Sequence, residues 1–157
     1  MKEMKGDLIK LAKEGKFDLI VHGCNCFCKM GAGIALGIKN EFPEAYDADL
    51  ETYPGDKNKL GDYTSAEIDL LSCKFTIVNA YTQYTYKRNE GSKDTIMANK
   101  RYGAISQCMK KIKQDFSGKR IGMPMIGAGL AGGDWNTIKN IIEKELKDED
   151  VTIVVLR

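Results

Sequence analysis

Short apolar runs alternate along the chain with longer segments in which apolar residues recur every third or fourth position. An apolar run of this kind is typical of a strand buried on both faces, whereas the longer spacing is typical of an amphipathic helix. The runs predict strands at residues 17–22, 74–81, 119–126 and 151–156. Alternation of apolar and polar residues predicts a half-exposed strand at residues 60–68, and a short first strand is expected at residues 1–4. The helical spacing predicts helices at residues 7–12, 33–42, 44–52, 95–116 and 135–146.

The residues at the ends of these segments support the same assignment. Asp7 and Asp134 stand where a helix N-cap is expected, and Gly15 and Pro43 stand where helices end. Strands and helices alternate throughout, without an internal repeat or linker, which predicts one α/β domain over residues 1–157. The expected architecture is three layers, α/β/α, with a mixed central sheet.

Two glycine-rich loops each lie between a predicted strand and a predicted helix. The first runs through residues 23–33 and contains Gly31 and Gly33; the second is the sequence GAGLAGG at residues 127–133. Glycine allows backbone N–H groups to approach phosphate oxygens, and a helix N-terminus favours an anion. Two such loops at the carboxyl ends of strands predict a diphosphate bound between them.

The net charge and the hydropathy limit the partners and the cellular location that we expect. The 157 residues include 24 basic and 22 acidic side chains, a net charge of +2, which gives no reason to expect nucleic acid as a partner. The longest apolar runs are no longer than a strand, so no membrane span is expected, and the N-terminus lacks the apolar core of a signal peptide. We therefore expect a cytoplasmic protein, and nothing in the sequence requires more than a monomer.

The five cysteines do not form a recognisable metal motif. Cys24, Cys26 and Cys28 have the spacing C-x-C-x-C rather than the C-x-x-C of structural zinc sites, and the chain has one histidine. An odd number of cysteines without a signal peptide favours reduced thiols. No metal and no cofactor is expected.

The motifs GDL near the start, HGCN at the end of a strand, MGAGIA at the start of a helix and PMIGAGLAGGDW before the last helix resemble those of the macrodomain family. They cover nearly the whole chain in the same order. The resemblance implies that ADP-ribose binds in a cleft across the top of the sheet.

The resemblance also implies roles for individual residues. Asp7 would accept a hydrogen bond from the adenine amino group, with the backbone N–H of Leu8 nearby, and Asn25 would contact the distal ribose. The diphosphate would bind to two sets of loop residues, namely Gly31, Ala32, Gly33, Ile34 and Ala35, and Ile126, Gly127, Ala128, Gly129, Leu130 and Ala131. The alternatives remain open: Asp7 as a helix cap, Asn25 as a turn residue and the glycines as tight turns.

Two branches of the family differ in chemistry, and this chain is most similar to the small macrodomains around them. The branch that hydrolyses ADP-ribose 1''-phosphate carries a histidine at the position of His22, which would act as a general base or nucleophile. Asp134 would polarise a water or orient His22, unless it only caps the last helix. Lys29 would neutralise a terminal phosphate, or would be an ordinary solvated lysine.

The other branch, which removes ADP-ribose from protein, uses a lysine after the fourth strand and an aspartate in the second loop. The corresponding places here are residues 79–81, Asn-Ala-Tyr, and Ala131, so neither group is present. An amine nucleophile has no substitute among these side chains. A route through bound water stays open.

The residues expected to contact the adenine also differ from those of the family. Many macrodomains stack an aromatic ring from the last strand on the adenine, whereas Val154 or Val155 stands at that place. Tyr81, Tyr84 and Tyr86 are candidates to cover the ligand instead.

Three functions follow from the resemblance. The first is hydrolysis of the terminal phosphate of ADP-ribose 1''-phosphate, with His22, Asn25 and Asp134 as the catalytic group. The second is hydrolysis of ADP-ribose from modified protein or nucleic acid. The third is non-catalytic recognition of ADP-ribose.

Overall fold

The computed structural model describes residues 1–86, 95–128 and 132–156, with only the backbone of residues 95–99. The described chain forms six strands, five α-helices and one 3₁₀ turn at Lys57–Lys59. The strands are β1 (Lys2–Lys5), β2 (Leu19–Cys24), β3 (Tyr63–Asp69), β4 (Lys74–Tyr81), β5 (Arg120–Met123) and β6 (Asp150–Val155). The helices are α1 (Leu8–Lys13), α2 (Gly33–Glu41), α3 (Pro43–Leu50), α4 (Thr95–Phe116) and α5 (Trp135–Glu145).

The six strands form one mixed sheet in the order β1-β6-β5-β2-β4-β3. Five strands run parallel, and β3 pairs antiparallel with β4 at one edge. The carboxyl ends of the five parallel strands therefore share one edge of the sheet, which is where ligands bind in open α/β sheets.

The core is divided by the sheet into two layers. Leu19 and Val21 of β2 pack with α4 and α5 on one face, whereas Ile20 packs with α1, α2 and α3 on the other. Apolar burial on both faces explains why the central strands are largely apolar. The predicted three-layer α/β/α architecture with a mixed sheet is confirmed.

Three predicted strands differ from the structure by two or more residues at one end or at both, whereas β1 and β6 are each shifted by a single residue. β2 begins and ends two residues later than predicted, because its pairing with β4 continues to the pair Cys24 and Tyr81. β3 begins at Tyr63 rather than at residue 60, because the 3₁₀ turn and Gly61, at φ +86°, precede it. β5 ends at Met123, directly before Pro124.

Candidate functional site

A cavity of about 580 Å³ opens at the shared carboxyl edge of the parallel strands. Its walls come from the loops that follow β2, β4 and β5. They are formed by Gly23, Cys24, Asn25, Lys29, residues 31–35, Gln83, Tyr86 and residues 124–127. The structure thus brings the first predicted glycine loop and Gly127, the first residue of the second, to a single cavity.

The first loop presents open backbone to this cavity. A Cβ atom built on Gly31 or on Gly33 would meet no protein atom within 4 Å, and Gly33 adopts φ +57°, which favours glycine. Ala32 occupies the N-cap of α2 without a side-chain capping hydrogen bond. The first N–H groups of α2, at Gly33, Ile34 and Ala35, therefore begin a helix at the cavity wall, which is a favourable place for an anion.

Asn25 both lines the cavity and closes the loop that leads to Gly31. Its Nδ2 donates to the carbonyl oxygen of Lys29 at 2.7 Å, and its Oδ1 accepts from the backbone N–H of Phe27 at 2.9 Å. The side chain is 8% exposed. The turn role and the predicted ligand contact are compatible, since Nδ2 has a second hydrogen to donate.

The second loop is closed at its base. The N–H of Gly133 donates to the carbonyl oxygen of Gly127 at 2.7 Å, and a Cβ on Gly133 would lie 2.6 Å from that oxygen. Ile126 and Gly127 line the cavity, and Ala128 follows them. The predicted contacts at Gly129, Leu130 and Ala131 lie outside the described residues.

Asp7 lies on the same edge of the sheet but in a separate depression of about 450 Å³, which it lines with Gly6, Lys10, Leu11, Glu14 and Leu156. Its Oδ1 accepts from the backbone N–H groups of Ile9 and Lys10, so Asp7 caps α1 as the sequence predicts. The side chain of Leu8 is buried in the core. β1 and β2 are separated by three strand spacings, about 14 Å, so a ligand that contacts both Asp7 and the first loop must be elongated.

The structure places His22 away from the cavity, and this corrects the expectation of direct chemistry. The imidazole is 0% exposed and does not line the cavity; its Nε2 lies 2.7 Å from Oδ1 of Asn79. Burial lowers the pKa of His22 to about 4, although the contact with Asn79 partly offsets this effect. The neutral ring lies 3.6 Å from Sγ of Cys24, which lines the cavity, but the ring itself is not exposed to the cavity.

Asp134 is also placed apart from the cavity walls. Its side chain caps α5: Oδ2 accepts from the backbone N–H of Thr137 at 3.2 Å and from the Thr137 hydroxyl at 2.6 Å. These hydrogen bonds lower the pKa of the Asp134 carboxyl. The capping role therefore accounts for the geometry of Asp134, and no contact links it to His22 among those described.

The three candidate tyrosines differ in position. Tyr81 is 1% exposed and donates from its hydroxyl to Asp49 Oδ1, so it does not face the cavity. Tyr84 donates to the carbonyl oxygen of Gly55 and packs edge-on against Phe27. Tyr86 is 55% exposed and lines the cavity, so it is the tyrosine of the three that is placed to cover a ligand.

Several residues of the cavity wall were not predicted as site residues from the sequence, among them Gln83, Pro124 and Met125. Each follows one of the parallel strands directly or within a few residues. This position, at the carboxyl end of a strand, could have identified them as cavity residues. Lys29, which is exposed, lines the cavity beside Asn25. No group of three or more His, Cys, Asp or Glu side chains in the described part of the chain could hold a metal ion.

Comparison with known proteins agrees with this geometry. The chain is 36% identical over 159 residues to an uncharacterised 17.5 kDa protein from the tk-vs intergenic region of Enterobacteria phage T4, with 98% of this chain and 95% of that protein covered. It is 25% identical to an ADP-ribose 1''-phosphate phosphatase of Meyerozyma guilliermondii, with 90% and 91% covered. It is 27% identical to the ADP-ribose glycohydrolase OARD1 of Bos taurus, with 97% and 88% covered.

Solved structures show the same fold. A Bacteroides thetaiotaomicron protein of unknown function superposes with a TM-score of 0.76 at 26% identity, covering 99% of this chain and 97% of that one. The macrodomain of Thermus aquaticus DarG superposes with a TM-score of 0.72 at 22% identity, with the same coverage.

None of the helices in the described part of the chain has the length and the apolar character that a membrane-spanning helix needs.

The family model for the Macro domain matches residues 21–142, which include both glycine loops, all of β5 and the last four residues of β2. The chain therefore belongs to the macrodomain family.

Proposed function

We propose that the chain binds ADP-ribose along the carboxyl edge of the sheet and hydrolyses the terminal phosphate of ADP-ribose 1''-phosphate. One observation carries the proposal. The uncapped N-terminus of α2 lies in a cavity wall where Gly31 and Gly33 leave open space instead of side chains. This arrangement suits the linked phosphates of a nucleotide sugar.

The remaining roles follow the order of the strands. Asp7, in the depression beyond β6, receives the adenine, and the first loop with Ile126 and Gly127 holds the diphosphate. Asn25 then contacts the distal ribose. An ADP-ribose molecule is elongated in the way that the spacing between Asp7 and the first loop requires.

The proposed removal of the terminal phosphate depends on Lys29. Its side chain is exposed and lines the cavity next to Asn25, where a phosphate on the distal ribose would lie. An ammonium group at this position attracts the terminal phosphate and stabilises charge during its transfer. A relative at 25% identity is named as a phosphatase for this substrate, which supports the same reaction.

The nucleophile in this proposal is water. Its oxygen attacks the terminal phosphorus, the bond between phosphorus and the ribose oxygen breaks, and the products are ADP-ribose and inorganic phosphate. One hydrogen of the attacking water stays on the phosphate, and the other is transferred to the released ribose oxygen, directly or through solvent. In this proposal His22 takes no part in the step, because its ring is fully buried and does not line the cavity.

One specific observation favours a second candidate, non-catalytic recognition of ADP-ribose. Among the described residues that line the cavity there is no histidine, aspartate or glutamate. Protein-directed glycohydrolysis is less favoured, because Asn79 and Tyr81, which stand near the expected lysine position, are both buried.

The test is a phosphate-release assay with ADP-ribose 1''-phosphate, assays of ADP-ribose release from ADP-ribosylated protein and from ADP-ribosylated DNA, and a calorimetric titration with ADP-ribose. The proposal expects phosphate release from the first substrate alone, reduced by Lys29→Ala and unchanged by Lys16→Ala, a control at an exposed lysine outside the described cavity walls. Binding without turnover of any substrate would support the recognition function instead. Failure to bind ADP-ribose would refute both.

A further inference from the structure

The single histidine lies in a buried chain of hydrogen bonds that the proposed reaction does not use. His22 and Asn79 are direct neighbours on β2 and β4, and both are 0% exposed. Their side chains point toward α2 and α3, on the side of the sheet away from α4 and α5, as the packing of Ile20 two residues earlier indicates.

The hydrogen bonds fix the orientation of Asn79 and therefore the tautomer of His22. Asn79 Nδ2 lies 2.9 Å from the carbonyl oxygen of Ala45, which can only accept, so Nδ2 must be the atom that faces it. Oδ1 of Asn79 then faces His22 as an acceptor at 2.7 Å. Nε2 of His22 consequently carries the proton.

The chain continues from Asn79 in one direction. The amide of Asn79 donates to Thr64 Oγ1 at 3.0 Å, which leaves the Thr64 hydroxyl to donate to the Tyr81 oxygen at 2.9 Å. Tyr81 in turn donates to Asp49 Oδ1 at 2.7 Å. Each hydroxyl therefore has one donor role and one acceptor role, and β2, β4, β3 and α3 are joined by one continuous path.

The far end of this path supports the first glycine loop. Asp49 and Tyr46 lie on α3: the carbonyl oxygen of Asp49 accepts from Cys28 Sγ at 3.3 Å, and the Tyr46 hydroxyl donates to the Cys28 carbonyl oxygen at 3.1 Å. Cys28 adopts φ +57°, a conformation that a residue with a side chain holds only when its surroundings enforce it. Cys28 lies between Asn25 and Gly31, so α3 holds the part of the loop that joins the two proposed ligand contacts.

We propose that His22 is a positioning residue, which holds the first glycine loop in its ligand-binding shape through Asn79 and α3. The inference rests on the proposed function for its ligand, but the loop geometry can be measured without one. It differs from general acid–base chemistry in what it requires of position 22. A positioning role needs a donor toward Asn79 Oδ1, whereas acid–base chemistry needs an imidazole.

The central experiment compares His22→Gln, whose amide N–H can replace the Nε2 donor, with His22→Ala. A matched control, Ile142→Ala, removes a buried side chain of α5 on the opposite face of the sheet. Hydrogen exchange of the amides at residues 24–30 is the readout that needs no ligand. We expect exchange there to rise about tenfold in His22→Ala, and to stay within about threefold of wild type in His22→Gln and in the control.

Ligand measurements on the same variants complete the comparison. We expect His22→Ala to weaken ADP-ribose binding about tenfold and His22→Gln to keep both affinity and turnover within about threefold. Loss of turnover in His22→Gln at unchanged affinity would overturn the inference in favour of catalysis by the imidazole. Wild-type exchange in His22→Ala, or an equal rise in Ile142→Ala, would overturn it as well. If the wild type binds no ADP-ribose, the proposed function fails and hydrogen exchange still decides the role of His22.

A second measurement does not depend on any variant that might fail to fold. Because the chain contains one histidine, nitrogen-detected NMR of the ring reports on His22 alone. We expect a proton on Nε2 and no titration between about pH 5 and pH 8. A proton on Nδ1, or a midpoint near about 6.5, the ordinary value for histidine, would overturn the inference.

Discussion

The side-chain amide of Asn25 donates to the carbonyl oxygen of Lys29 at 2.7 Å, so a cavity-lining residue also closes the loop that carries the cavity's lysine. Oδ1 of Asn25 meanwhile accepts from the N–H of Phe27. Loop shape and ligand contact are therefore joined in one side chain.

Replacement of Asn25 by alanine should weaken both stability and binding. Loss of these partly buried hydrogen bonds should lower the free energy of unfolding by about 1–3 kcal/mol. ADP-ribose affinity should fall by more than the loss of one contact would cause, because the loop loses its closure. Urea denaturation and calorimetric titration measure the two effects, and unchanged affinity in a destabilised Asn25→Ala protein would contradict the coupling.

The two glycines of the first loop should respond differently to alanine. Gly31→Ala should leave stability nearly unchanged, since the added Cβ meets no protein atom within 4 Å. Gly33→Ala should cost about 1–2 kcal/mol, because alanine is unfavourable at φ +57°. Thermal unfolding measures the difference, and an equal loss in both variants would contradict the backbone assigned to Gly33.

A larger side chain at Gly31 isolates the ligand effect. Gly31→Val should fold as the wild type does but bind ADP-ribose much more weakly, because its branches would occupy the space proposed for the diphosphate. Titration of Gly31→Val with ADP-ribose tests this, and wild-type affinity would place the phosphates elsewhere.

Asp134 should matter for stability and not for chemistry. Asp134→Ala removes the cap of α5 and should lower the free energy of unfolding, whereas Asp134→Ser retains a capping oxygen and should recover most of the loss. Both variants should release phosphate at the wild-type rate. A large loss of turnover in Asp134→Ser would restore the catalytic role that the sequence suggested.

Tyr86 should contribute to binding through its exposed ring. Tyr86→Ala should weaken ADP-ribose binding several-fold while stability changes little, since the side chain is 55% exposed and lines the cavity. Tyr53→Ala is the matched control, because Tyr53 is 82% exposed and does not line the described cavity. Equal affinities for the two variants would remove Tyr86 from the site.

The pair Asp18 and Arg120 predicts how stability depends on acid. Hydrogen bonds from the Arg120 guanidinium, with Nη2 2.9 Å from Oδ1, lower the pKa of Asp18 to about 2. A carboxyl whose pKa is lower in the folded state stabilises the fold above its unfolded pKa of about 4, and this contribution is lost as the pH falls toward about 2. Both side chains are partly exposed, so the contribution should be below about 1 kcal/mol. Denaturation of wild type and Asp18→Asn should differ at neutral pH and converge near pH 2, and a constant difference across this range would contradict the assignment.

Much of the fold could be predicted because its strongest signals are local. β4 and α4 have the predicted bounds, 74–81 and 95–116, since apolar spacing and the flanking turn residues mark both ends. Asp7 and Asp134 were identified as helix caps for the same reason. The start of β2 was harder to predict, because its pairing with β4 and β5, and not its composition, decides where it begins.

The position of His22 could not be predicted from the apolar run that contains it. A strand buried on both faces shows no polar alternation, so the sequence does not indicate that Gly23 and Cys24, at the end of β2, line the cavity while His22 is enclosed in the core. The partner of His22 lies 57 residues further along the chain, and its contact depends on the register between β2 and β4. The burial of the Asp49 carboxyl could not be predicted either, because nothing in the sequence of α3 distinguishes Asp49 from a surface aspartate.

The parallel pairing of β1 with β6 determines which end of the chain tolerates an attachment. Lys2 is paired with Thr152, so β1 enters the sheet at the end remote from the cavity, whereas β6 leaves it beside Leu156, in the wall of the depression that contains Asp7. An affinity tag or fluorescent fusion placed before Met1 would therefore leave the proposed adenine site accessible. The same attachment beyond Leu156 would crowd it, and ligand titrations on such a fusion would underestimate affinity.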